Sequence, residues 1–95
     1  MLLNPDAKLV DNILDIAKME QQPTRNGYGE GLVLAADENP NVVAICADLT
    51  ESTRTEAFAK KYPNRFVEIG VAEQNMAAVA SGMSAAGKIP YIASY

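Results

Sequence analysis

Residues 41–48 read NVVAICAD, and the six from Val42 to Ala47 are all apolar. A strand with one face in water alternates apolar and polar residues, whereas an unbroken run this short marks a strand covered on both faces. Doubly covered strands belong to parallel sheets, and parallel strands need long crossover connections, usually helices. The rest of the chain must therefore supply further strands and the helices that cover them.

It does so in alternating order. Asn39-Pro40 is a turn ahead of the run, and LTEST (49–53) is a loop behind it. RTEAFAKKY (54–62) reads as a short helix with Phe58 on its inner side. PNRFVEIG (63–70) is a turn and a second strand, VAEQNMAAVASGMSAAG (71–87) a helix, and KIPYIASY (88–95) a third strand. Strand, helix, strand, helix, strand implies an α/β fold with right-handed crossovers and helices on both faces of a parallel sheet. Ahead of this unit, Thr24 is positioned to cap a helix through RNGYGEGLVLAADE. Gly27, Gly29 and Gly31 weaken that helix by roughly 0.5–1 kcal/mol each relative to alanine, so close packing or a ligand is expected at them. Residues 1–22 form an N-terminal arm. Asn4 followed by Pro5 marks a helix start, and Leu9, Ile13, Ile16 and Ala17 recur at helical spacing until Pro23. Residues 23–95 form the main unit. With three strands the sheet is incomplete, so either a partner completes it or the chain is part of a longer one; the second reading is preferred.

At 95 residues the chain holds one domain. A net charge of -4 argues against nucleic acid as the partner. The absence of histidine removes Ser-His-Asp and Cys-His catalysis and the commonest metal ligand. Cys46 is the single cysteine, so no intrachain disulfide forms, which suits a reducing cytoplasm. No apolar stretch of about 20 residues is present to span a membrane.

In open parallel sheets ligands bind beyond the carboxyl ends of the strands. Asp48 and Leu49 follow the first strand there, and Gly70 to Glu73 follow the second. Each candidate also has a plain structural reading. Glu73 in a first helical turn complements the helix dipole, Asp48 caps a loop, Arg25 is a solvated charge, and Ser52 bonds within its loop. The small residues Ala78, Gly82 and Ala86 let the third helix lie close to the sheet or to a neighbour.

RFVEIGVAEQNMAAVASGMSAAGKIPYIASY strongly resembles the start of the pyrimidine-binding domain of transketolases, which are thiamine-diphosphate enzymes. PTRNGYGEGLV resembles the segment that opens that domain, and ADLTEST the loop after its first strand. The three pieces keep the family's order and cover Pro23 to Tyr95; the pattern is most similar to the C-terminal subunit of a split transketolase. The resemblance implies roles residue by residue. Glu73 would bond the 1′ nitrogen of the cofactor's aminopyrimidine, with burial raising its pKa so that a proton stays available. Asp48 and Leu49 would contact the cofactor near its thiazolium ring, Tyr95 would line the aminopyrimidine pocket, and Arg25 and Ser52 would grip a sugar phosphate. The Gly-Asp-Gly start and later asparagine that hold diphosphate and a divalent metal in this family are absent. A diphosphate-binding partner subunit would therefore carry the Mg or Ca ion, in a homo- or hetero-oligomer. The implied reaction is ketol transfer between sugar phosphates, in the pentose phosphate pathway. A related thiamine-diphosphate enzyme, such as 1-deoxyxylulose-5-phosphate synthase or a 2-oxoacid dehydrogenase subunit, and a non-catalytic interaction module of the same fold stay open beside it.

Overall fold

A computed structural model describes residues 3–95. The apolar run forms β1 (Val42–Cys46), buried at every position. It is the centre of a three-stranded parallel sheet, flanked by β2 (Phe66–Glu68) and β3 (Ile89–Ala93) in the order β2-β1-β3. The centre is where the sequence's doubly covered strand has to be, because an edge strand would leave one row of its backbone groups unpaired.

Successive side chains of β1 point to opposite faces, and each face meets its own helices. Val42 and Ala44 pack with Leu32 and Ala36 of α1 (Thr24–Glu38) and with Phe58 of α2 (Glu56–Lys61). Ile45 and Ala47 pack with Met76 and Ala80 of α3 (Glu73–Ala85). Phe58 is completely buried, as its place on the inner side of α2 predicts. Helices on both faces of a parallel sheet are the architecture the sequence implies.

Local details differ at three places. Thr24 does not cap α1. It is the helix's first residue, Pro23 occupies the cap position, and no side chain caps the end. The helical arm expected over 1–22 does not form across the described part of that segment, and its first two residues lie outside the described residues. Residues 3–22 carry isolated turns. The Asn4 side chain accepts from the Asp6 amide at 3.0 Å, closing a local turn in place of a helix cap. Leu9, Ile13, Leu14 and Ile16 are exposed, so the apolar stripe that predicts the helix has no surface to bury it. A lone helix of this length is marginal without such burial. Lastly, Ala78, Gly82 and Ala86 do not face the sheet. All three are exposed, and a Cβ added at Gly82 would meet nothing within 4 Å.

The C-terminal end of α1 is closed by a distant side chain. Arg65, in the short 3-10 turn Pro63–Arg65, donates to the carbonyls of Ala36 at 3.2 Å and Asn39 at 3.1 Å. Its guanidinium lies 3.8 Å from the centre of the Tyr62 ring. Helix ends leave carbonyls without intrahelical partners, and this arginine satisfies them with a favourable charge.

Candidate functional site

The strand register sets the site. Cys46 pairs with Glu68 on one side and Ala93 on the other, so all three strands end level. The loop beginning at Ala47, the turn before α3, and Ser94-Tyr95 therefore leave the sheet at one edge. Asp48, Leu49, Glu73 and Tyr95 all belong to that edge.

The loop after β1 is held by buried hydroxyls. Thr53 Oγ1 donates to the Leu49 carbonyl at 2.8 Å, lies 2.8 Å from Thr55 Oγ1 and 3.7 Å from Cys46 Sγ. Asp48 takes a left-handed backbone at φ 57°, a conformation aspartate tolerates better than most residues. Its side chain is exposed while Leu49 is half-buried.

Glu73 is the first residue of α3, next to the partial positive charge of the helix start. Ser94, just past β3, donates its hydroxyl to Glu73 Oε1 at 3.4 Å, a long bond that joins the start of α3 to the end of β3. The burial expected for Glu73 is not present within this chain. Glu73, Gln74 and Asn75 are exposed, and the buried residues of α3 are Met76 and Ala80. Of the small apolar residues that follow Glu73 in sequence, Ala77 and Ala78 are exposed and Ala80 is buried against the sheet. They do not surround its carboxylate.

Arg25 and Ser52 come together although 27 positions separate them: Arg25 Nη1 donates to the Ser52 backbone carbonyl at 3.4 Å. Arg25 is exposed and forms no ion pair among the described residues. Both line an open groove of about 580 Å³ that also takes in Tyr28, Ser94 and Tyr95. Asp48, Leu49 and Glu73 are outside its lining, and Ser94 links the groove to Glu73. Tyr95 is 82% exposed at its rim. A second depression of about 610 Å³, between α1 and the segment 51–57, includes Asn26, Glu30 and Arg54 and none of the residues expected at a site. The strand-end groove is the better candidate, because it coincides with the ligand edge of a parallel sheet.

Two residues of this region escape sequence reasoning. The Tyr28 hydroxyl is buried against the groove without a hydrogen-bond partner among the described residues. Burial pushes its pKa up; the Thr55 hydroxyl opposes the shift but is not placed for a full hydrogen bond. Glu68, the last residue of β2, accepts from three groups on two loops. Desolvation of its carboxylate raises the pKa, but the Gly70 and Asp48 amides, the Thr50 hydroxyl and the Ile69 amide together outweigh it and leave the pKa lowered. The one signal for it in the sequence is a charged residue closing a strand beside the buried run.

Among the described residues no group of three or more His, Cys, Asp or Glu side chains is placed to hold a metal ion. No helix among them is long and apolar enough to cross a membrane.

Comparison with known proteins bears on the family and the fold. Residues 20–95 match the family described as the transketolase pyrimidine-binding domain. The chain belongs to that family. A Methanocaldococcus jannaschii protein assigned as a transketolase C-terminal section is 46% identical over 71 residues, covering 75% of this chain and 22% of that protein. The 1-deoxy-D-xylulose-5-phosphate synthase of Syntrophus aciditrophicus is 40% identical over 68 residues, 72% of this chain and 10% of that enzyme. A solved structure described as a split gene transketolase, inactive beta4 tetramer, superposes with a TM-score of 0.65 at 51% identity, covering 73% of this chain and 23% of that one. The chain thus spans about a quarter or less of the relatives it matches.

Proposed function

We propose that this chain supplies the aminopyrimidine side of a thiamine diphosphate site in a transketolase that moves a two-carbon ketol unit from a ketose phosphate to an aldose phosphate. The observation that carries the reading is the level ending of three parallel strands, with Asp48, Leu49, Glu73 and Tyr95 at one edge and Arg25 and Ser52 beside it. Family membership supports it. The residues fit the group in kind. The Glu73 side chain has one hydrogen bond among the described residues, from Ser94, and solvent access for a further partner. The unpartnered Tyr28 hydroxyl adds polar capacity at the groove.

Thiamine diphosphate, when bound, supplies the carbon that carries the two-carbon unit. Glu73 would hold the 1′ nitrogen of its aminopyrimidine by a hydrogen bond, the place for general acid–base work. Glu73 is exposed in this chain, so a neighbouring subunit would be what covers it in the assembly. Asp48 and Leu49 would border the thiazolium side, and Tyr95 would offer an aromatic face to the pyrimidine. Arg25 presents planar charged donors suited to a phosphate, with Ser52 next to it. A diphosphate-binding partner subunit would hold the Mg or Ca ion, in an assembly placed in the cytoplasm. A 1-deoxyxylulose-5-phosphate synthase is the second reading, favoured by the 40% identical relative of that activity.

Glu73→Gln tests the central role in the assembled enzyme. Glutamine keeps the size and one hydrogen bond but cannot share the proton. Hydrogen–deuterium exchange at the thiazolium carbon is expected to slow and turnover to collapse, with the melting temperature unchanged. If Glu73 only complements the dipole of α3, exchange stays normal and stability falls by about 0.3–1 kcal/mol.

A further inference from the structure

We propose that Glu68 is a positioning residue: its carboxylate ties the loop after β1 to the turn after β2, so that the two halves of the strand-end edge are held as one unit. The inference rests on the functional reading above for what that edge binds. Glu68 closes β2 and pairs in register with Cys46, the last residue of β1. Its Oε1 accepts from the Asp48 amide at 2.7 Å and from the Gly70 amide at 2.8 Å. Its Oε2 accepts from Thr50 Oγ1 at 3.2 Å. One side chain therefore bonds both segments that lead to the proposed cofactor contacts, Asp48-Leu49 on one side and the approach to Glu73 on the other.

Both amide donors belong to residues with left-handed backbone, Asp48 at φ 57° and Gly70 at φ 79°. Neither loop follows the sheet's own path, and the carboxylate supplies a shared acceptor that regular pairing does not. The ladder reaches one residue further, with the Ile69 amide donating to the Cys46 carbonyl at 2.9 Å. Beyond that point Glu68 is the link between the two loops. Bonds from backbone N–H groups to an ionised acceptor are stronger than neutral ones, which suits a clamp between two loops.

Glu68→Ala and Glu68→Gln are compared with wild type in the full chain assembled with its partner. Backbone amide exchange is read over residues 47–50 and 69–72, and thiamine diphosphate affinity and kcat are measured separately. The alanine variant is expected to speed exchange in both segments by about tenfold or more, as for loss of a charged hydrogen bond. Exchange in β1 stays as it was, cofactor affinity falls by a similar factor, and kcat at saturation changes less. Glutamine can still accept from both amides and restores most of both effects. Unchanged exchange in either segment, uniform acceleration through the chain, or loosened loops with unaltered cofactor affinity would each overturn the proposal. Wild-type assembly that does not bind thiamine diphosphate defeats the functional reading instead, and amide exchange alone then decides whether Glu68 clamps the loops.

Discussion

Gly29→Ala separates packing from helix propensity within a single helix. In isolation the change favours α1, because alanine is about 1 kcal/mol better than glycine in a helix interior. The surroundings oppose it. A Cβ on Gly29 would stand 2.5 Å from the Arg54 carbonyl oxygen and 2.7 Å from Arg54 Cβ, against ordinary contacts of about 3.5–4 Å. Arg54 has little freedom to retreat. It sits at φ 65° between the buried Thr53 and Thr55, its amide donates to the Glu51 carbonyl at 3.1 Å, and its Nε donates to Asn26 Oδ1 at 3.1 Å. Forcing extra volume into a packed contact costs about 1–3 kcal/mol, and backbone overlap belongs at the top of that range. Net destabilisation is therefore about 2 kcal/mol after the propensity gain. Gly31, two positions further along the same helix, meets nothing within 4 Å, so Gly31→Ala gains stability by about 0.5–1 kcal/mol. Urea and thermal unfolding at one fixed protein concentration give the comparison. Gly29→Ala is expected to melt roughly 8–16 °C lower and Gly31→Ala a few degrees higher. Equal stabilisation by the two variants would refute the close approach of α1 to the Arg54 loop.

Three other outcomes follow from the same geometry. Arg25→Ala in the assembled enzyme should lower kcat/KM for phosphorylated sugars by about 1.5–3 kcal/mol, the worth of a charge-assisted contact, and spare unphosphorylated ones; an equal fall for both makes Arg25 structural. Arg65→Ala strips the end of α1 of its carbonyl partners and should destabilise the fold by about 1–3 kcal/mol in urea titration, with lysine, a point charge in place of a planar fork, restoring only part. Asp37 accepts from Lys61 at 3.0 Å and from the Tyr62 hydroxyl, and these partners hold its carboxyl below the usual aspartate range. Its contribution is therefore full above a pH of about 3.9 and lost as pH falls through the lowered folded value. The stability difference between wild type and Asp37→Asn, followed by urea unfolding from neutral to acid pH, should close in that window, and a difference that grows on acidification contradicts the pairing.

Elements with a strong internal pattern are legible in the sequence alone. The apolar run Val42 to Ala47 reads as a doubly covered strand, and burial of the observed strand Val42–Cys46 at the sheet's centre follows from having no polar side to show water. The alternation of strands and helices sets the parallel sheet, and a parallel sheet sets the edge at which Asp48, Leu49, Glu73 and Tyr95 gather. Family motifs name those residues. Periodicity misleads in the described part of the segment 1–22, where Leu9 at 72% and Ile16 at 70% exposure have no surface to meet. An apolar stripe specifies a helix when something covers it.

What requires the tertiary structure is every property that depends on a distant neighbour. Glu68 reads as one more strand residue until the register brings the Asp48 amide, 20 positions away, to its carboxylate. Three glycines look alike in α1, yet only Gly29 has Arg54 against it. Glu73, Gln74 and Asn75 interrupt an otherwise apolar or small stretch of the chain, yet all three are exposed in space. Side-chain pattern is a local property carried along the backbone. Burial, hydrogen-bond partners and pKa belong to the surroundings, and chain folding brings those together from segments that sequence order keeps apart.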